Sequence, residues 1–338
     1  MMKQFSYRHT KEADLMKSME EATAKQVNMT EEELFSFAEF NEEEVEKTGY
    51  SNYSYWRSTL QAFLKNRVAV VLLVSLGLLL LFTFIQPYLP NQYDPNLIIN
   101  DENGMQYRNV PPGDQFILGT NSIGQDLWAR IWSGTRTSLF IGLSVALAEA
   151  IIGITVGVLW GYVRKLDFIL TEIYNIIDNI PNTIILILIS YILKPGVKTL
   201  IFAMCLTGWI QMARFIRNQI LIIRDRDYNV ASRCLGTSTP KIIIKNLLPY
   251  LVSVIMLRMA LTIPAAIGNE VFITYIGLGL PVDTPSLGNL INEGRALITS
   301  AALRYQLVYP TIIMSFVTIS FYIIGNAFSD AADPKNHV

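Results

Sequence analysis

RDRDYNVASRCLGTSTPKIIIKNLLPY, residues Arg224–Tyr250, is a charged stretch with a turn at its centre, set between two apolar segments. Seven Lys and Arg residues fall between Arg214 and Lys245. Positive charge of this density is retained on the cytoplasmic side of a membrane. Cys234-Leu235-Gly236 reads as a helix end, because glycine takes the left-handed conformation that closes a helix without a Cβ penalty. Thr239 and Pro240 read as the N-cap and first position of the next helix. The pattern predicts two short helices joined by a tight elbow, a rigid knob suited to docking into a partner.

The rest of the chain agrees with a membrane setting. It has 338 residues, 51% of them hydrophobic, and a net charge of −1. That apolar content lies outside the habit of soluble domains. The near-neutral charge gives no reason to expect nucleic acid. Cys205 sits in an apolar segment and Cys234 in the insert, which argues against a disulfide framework. His9 and His337 lie near the two ends, so no histidine cluster is available for a metal or a catalytic base. The first long apolar run starts near Val68, too far along for a cleaved leader, and is expected to stay in the membrane as an anchor.

Outward from the insert, the apolar runs predict an all-α polytopic protein with six spans and both ends inside. Residues 1–56 carry twelve acids against six Lys and Arg and read as a solvated cytoplasmic tail, partly helical over Glu31–Phe40. Trp56, Arg57, Lys65 and Arg67 form an interfacial collar at the start of a first spanning unit, 57–86, whose uncharged core is Val68–Ile85. A polar external loop, 87–136, contains a predicted amphipathic helix over Gln125–Thr135, in which Asp126 and Arg130 are four apart and able to pair. The core, 137–328, begins with a second span over Thr137–Val163. Gly153, Gly157 and Gly161 line one stripe of it and invite close helix packing. Phe168–Leu193 is a third span with a break at Pro181, and Thr199–Ala213 a short fourth. After the elbow at 224–250, Leu247–Leu280 is the fifth span. An external loop at 281–307, a sixth span over Val308–Phe328 and a tail at 329–338 complete the chain. Leaving aside the acidic tail and Arg258, thirteen Lys and Arg fall inside and seven outside.

Chemistry must come from few groups. There is no GxxxxGK[ST] loop, so ATP cannot bind by that route, and no HExxH, CxxC or Ser-His-Asp set. What stands out is polarity at membrane depth, which is costly and usually lines a path or meets a partner. Glu149 reads as a pathway residue or as a carboxyl held by a neighbour. Arg258 and Glu270 are twelve residues apart, roughly 18 Å along one helix, too far to pair. Pro264 lies between them and removes a backbone bond, which predicts a kink exposing polar groups to a cavity. Asn175, Asp178 and Asn179 are either ordinary interfacial polarity or substrate contacts.

Several stretches together resemble one family. Tyr228-Asn229-Val230-Ala231-Ser232-Arg233-Cys234-Leu235-Gly236, with Pro249 thirteen positions later, resembles the EAA loop of ABC importer permeases. Leu118-Gly119-Thr120-Asn121 with Gly124-Gln125-Asp126, and Gly134-Thr135-Arg136 with Ser138-Leu139, resemble motifs of the C-type permease of oligopeptide and dipeptide importers. So do Glu270 with Thr274-Tyr275-Ile276-Gly277-Leu278-Gly279, Thr284-Pro285-Ser286-Leu287-Gly288-Asn289 with Glu293-Gly294-Arg295, and Asp330-Ala331 with Asp333-Pro334. The resemblance runs from about Trp56 to Pro334. Departures are Val230 at the glutamate of the EAA loop, Ser232 at its second alanine, Asn121 and Gln125 in the first external motif, and Leu287 for a tryptophan. The long acidic tail is similar to that of Gram-positive members.

The resemblance implies a type I ABC importer permease fold in a bacterial cell membrane, with both termini cytoplasmic. It implies a homologous second permease subunit, two cytoplasmic ATPases holding ATP and Mg, an extracellular peptide-binding lipoprotein and a peptide substrate. The chain itself would be no enzyme and hold no cofactor or metal. Tyr228, Ala231, Ser232, Arg233, Leu235, Gly236 and Thr237 would form the ATPase-coupling face. Glu149, Asn175, Asp178, Arg258, Asn269 and Glu270 are the candidates for the translocation path. Nickel and glutathione importers share these motifs. A proton-coupled carrier using Glu149 or Glu270 and a non-transporting scaffold are further readings, both poor explanations for a docking knob.

Overall fold

The computed structural model describes residues 55–332. The acidic tail with its expected helix, and the Asp333-Pro334 motif, lie outside the described residues. The described residues belong to one compact unit and are mainly helical, with two isolated bridges, Asn100–Gln106 and Thr120–Asp126. Among the described residues, five segments are long and apolar enough to cross a membrane: Arg67–Tyr88, Leu127–Tyr162, Val197–Ile223, Thr239–Tyr275 and Tyr305–Ala332. A pair of short helices bent by 75° makes a sixth if the two count as one broken span.

The interfacial collar is itself a helix, α1 (Tyr55–Lys65), and Asn66 separates it from α2 (Arg67–Ile85) by capping the latter through its side chain to Ala69 N, 3.2 Å. The apolar face of α1 folds onto the end of α11 (Tyr305–Ala332), with Phe63 6.2 Å from Phe328.

α3 (Leu127–Tyr162) corrects the sequence reading. The expected amphipathic helix and second span are one 36-residue rod, so the external loop ends at Asp126. The expected Asp126–Arg130 pair does not form. Asp126 is the N-cap, its carboxylate accepting from Ala129 N at 2.9 Å, and Arg130 turns instead to Glu293 at 3.0 Å. Satisfying an orphan amide outweighs an i,i+4 ion pair worth a few tenths of a kcal/mol.

The third span breaks where Pro181 predicts. α4 (Arg164–Asp178) and α5 (Asn182–Ile192) meet at 75°. With 15 and 11 residues, neither alone is about 30 Å long. α6 (Val197–Ile223) is ten residues longer at its C-terminal end than the uncharged run suggested, because its two arginines are compensated. Arg214 stacks 4.3 Å from the Tyr174 ring and pairs with Asp178; Arg217 stacks 5.3 Å from Trp160 and lies 2.7 Å from Asp167. These partners come from α4 and the end of α3.

After α7 (Asp227–Cys234), the elbow's second arm is not a separate short helix. α8 (Thr239–Ile242) passes through a π turn at Ile243–Leu247 straight into α9 (Leu248–Tyr275), which stays helical through Pro264. Ser238, not Thr239, is the N-cap, one residue earlier than expected. The external loop at 281–307 holds a further helix, α10 (Leu287–Arg295), wedged against α3, α9 and α11.

The most extensive packing is α3 on α6. A β-carbon on Gly153 would lie 2.5 Å from Met212 Cβ, one on Gly157 2.5 Å from the Ala213 carbonyl oxygen, and one on Gly161 2.8 Å from Ile220 Cβ. The two backbones therefore touch, as small-residue stripes permit where lipid supplies no hydrophobic drive between helices. The contacts define two ends. Arg130 and Glu293 meet at the loop end. Arg224 donates to the Gly161 carbonyl at 2.8 Å at the elbow end, beside Ile242, Leu247 and Leu251 of a shared apolar core.

Candidate functional site: the elbow and a polar cavity

The elbow is closed by backbone geometry. Gly236 has φ +79°. Its N–H donates to the Arg233 carbonyl at 3.0 Å, and Thr237 N–H to the Ser232 carbonyl at 3.0 Å. This pair of bonds is a Schellman closure, with glycine where the left-handed residue must stand. Asp225, at the junction of α6 and α7, ties the end of one to the last turn of the other, 3.0 Å from Arg224 and 3.1 Å from Arg233. Those two guanidiniums, Arg233 foremost, hold its carboxyl below the usual carboxylate range. Beneath α7, Asn229 is fully buried and donates to the Ile223 carbonyl at 2.8 Å. Asn246, in the π turn, donates to Asn229 Oδ1 at 3.1 Å and lies 3.4 Å from Ser232 Oγ. Sequence reading missed this clamp, since nothing local links two asparagines seventeen positions apart.

Of the expected coupling residues, Leu235 is 85% exposed and Tyr228 45% exposed, while Ala231, Arg233 and Gly236 are exposed and Ser232 and Thr237 half-buried. The result is an apolar tip on a braced stalk.

The polar candidates separate into two groups. Glu149 on α3, Asn182 on α5, Gly208 and Gln211 on α6, and Arg258 and Asn269 on α9 line one cavity of about 180 Å³. An adjoining cavity of about 160 Å³ shares Asn182, Gly208 and Gln211 and adds Asp178. Asp178 is engaged there, ion-paired with Arg214 at 3.7 Å and accepting from Gln211 and Tyr174. Asn175 does not join them; it is exposed on α4 and its carbonyl accepts from Asn179.

Glu270 does not line the cavity either. It is 0% exposed, and its carboxylate accepts from Ser286 at 2.7 Å, Ser138 at 3.1 Å and Thr274 at 3.2 Å. A β-carbon on Gly288 would come 2.5 Å from its Oε1. Glu270 therefore pins the first turn of α10, a carboxylate at a helix N-terminus. Glu293, on the last turn of α10, pairs with the fully buried Arg130. The acid that reads from sequence as a path residue is a structural tie, because the hydroxyls of Ser138 and Ser286 from other segments, and of Thr274 one turn on, converge on it.

The sequence matches the binding-protein-dependent transport system inner membrane component over residues 153–338, and the N-terminal TM domain of oligopeptide transport permease C over residues 54–112. The chain belongs to the family of binding-protein-dependent transport system inner membrane components. It is 37% identical to the oligopeptide transport system permease protein AmiD of Streptococcus pneumoniae, across 91% of this chain and 98% of that one. It is 32% identical to the dipeptide transport system permease protein DppC of Bacillus subtilis, across 94% and 97%. A solved structure of the MetNI methionine ABC transporter in an inward facing conformation aligns with a TM-score of 0.48 at 21% identity, over 60% of this chain and 96% of that one.

Proposed function

We propose that this chain is one transmembrane permease subunit of an ATP-driven importer of oligopeptides or dipeptides. Similarity over almost the full length of permeases named for such peptides supports the substrate class. The observation that carries the coupling role is the elbow, whose exposed tip at Leu235 adjoins a turn closed by Gly236 and ends a helix tied down by Asp225 and the Asn229–Asn246 clamp.

On this reading the elbow end faces the cytoplasm, and two separate ATPases, which hold ATP and Mg, grip this elbow and that of the second permease. The chain is then not an enzyme by itself. A second, homologous permease supplies the other half of the path, and a lipid-anchored binding protein delivers peptide at the loop end. Closure of the ATPases moves α7, and with it the rod Thr239–Tyr275. Rigid-body rocking of helices then exposes the cavity around Glu149, Arg258 and Asn269 alternately to the two sides.

Reconstitution of the complex in liposomes, with and without its ATPases, tests this. Uptake of labelled peptide that requires both the ATPases and ATP is the expected result. Uptake driven by a proton gradient alone, or by this polypeptide alone, contradicts it.

A further inference from the structure

Glu149 and Arg258 are opposite charges on facing helices, and both line the cavity of about 180 Å³. Among the described residues, neither side chain makes an ion pair or hydrogen bond within contact distance, although Arg130, Arg214, Arg217 and Asp178 all do. Groups of this kind at membrane depth are costly and pair where they can. Gly208 leaves room for the carboxylate: a β-carbon there would lie 1.7 Å from Glu149 Oε1, so a larger residue at 208 would shift the acid from its place across α6. The rest of the polar lining is uncharged: the amides of Asn182, Gln211 and Asn269, and Thr262, whose hydroxyl is spent on the Arg258 carbonyl at 3.0 Å.

A ligand that satisfies this lining carries one positive and one negative group with amides between. A bare metal cation would suit Glu149 and be repelled by Arg258; a simple anion has the reverse problem. We propose that the cavity is a subsite for the charged ends of unblocked peptides. Glu149 receives an α-ammonium, Arg258 receives an α-carboxylate, and the three amides exchange hydrogen bonds with the peptide backbone. The volume is below the roughly 300 Å³ at which ordinary ligand pockets begin, so the subsite holds a peptide's ends or a very short peptide, not a long chain. This rests on the peptide-importer reading and adds a selective step inside the membrane.

The test uses the complete complex, with its ATPases, second permease and binding protein, in liposomes. One tripeptide is supplied free, N-acetylated and C-amidated, and kcat/KM for uptake is taken as the ratio of variant to unaltered complex for each form. Any preference of the binding protein cancels in that ratio. Glu149→Gln is expected to lower the free and amidated forms tenfold or more and the acetylated form little. Arg258→Gln is expected to spare the amidated form instead. Gly208→Ala keeps both charges but displaces the carboxylate, and should reproduce the Glu149→Gln pattern; it also serves if that variant assembles poorly. Equal losses for all three peptides, no loss for any, or recovery in the Glu149→Gln/Arg258→Gln double variant would each overturn the proposal, the last by making the two residues structural partners of each other. If the unaltered complex takes up no peptide at all, the importer reading itself has failed.

Discussion

At the loop end of the bundle, α10 is tied at its first turn by Glu270 and at its last by Arg130, both fully buried. At the elbow end, α7 is braced from beneath by Asn229 and Asn246, yet leaves Leu235 85% exposed beyond a left-handed glycine. Both ends use side chains to lock backbone turns. One end uses buried charged groups to close the bundle, while the other uses polar side chains to stiffen a projection. A stiff projection with an apolar tip is useful only if something grips it. The loop end therefore closes the bundle and the elbow suits force input, the two joined by the rods of α3, α6 and α9.

The largest expected effect breaks the rods that join the two ends. Gly157→Leu places carbon into the Ala213 carbonyl, 2.5 Å from the first added atom, and should cost more than about 3 kcal/mol. The inserted chain should then lose its cooperative thermal transition in detergent. Glu293→Ala comes next, leaving Arg130 buried without its acid. Breaking a buried pair costs about 3–5 kcal/mol, less here because the Glu293 side chain is 27% exposed. Removal of Asp225 at the other end, 50% exposed, should fall within about 1 kcal/mol by the same denaturation assay. Equal losses from the two would erase the contrast.

Gly236→Asp sharpens the contrast from the functional side. A side chain at φ +79° strains the turn by about 1–2 kcal/mol, too little to unfold the bundle. Peptide taken up per ATP hydrolysed should nonetheless fall severalfold, with the chain still inserted. The smallest effect is on pH. Asp225 has its carboxyl depressed by Arg233 and Arg224, so its ion pairs are intact above the unfolded value of about 3.9 and are lost as pH falls through the lower folded value. Amide protection factors across residues 227–236, corrected for the intrinsic pH dependence of exchange, should be unchanged from about pH 7 to 5 and fall only below about pH 4. Asp225→Asn should abolish that acid step.

Much of this architecture was legible because its causes are local. Apolar runs marked the spans, Pro181 marked the break between α4 and α5, and Gly236 marked the end of α7. The glycine stripe on α3 pointed to close packing without naming α6, whose Met212, Ala213 and Ile220 receive it. What escaped depended on partners distant in sequence. Charges hid the full lengths of α3 and α6, since Arg130, Arg214 and Arg217 look like span limits until Glu293, Asp178 and Asp167 are seen beside them. Glu270 and Glu149 are alike in sequence, each a lone acid in an apolar helix. Three hydroxyls claim the first, while the second faces a cavity with Arg258.

A photo-crosslinking residue placed at position 235 in intact cells tests the central claim most directly. The account predicts an adduct with a cytoplasmic nucleotide-hydrolysing subunit, in a yield that changes when ATP turnover is trapped by vanadate. Adducts formed only with proteins of the outer surface, or a cysteine at 235 labelled by an impermeant reagent from outside, would contradict it.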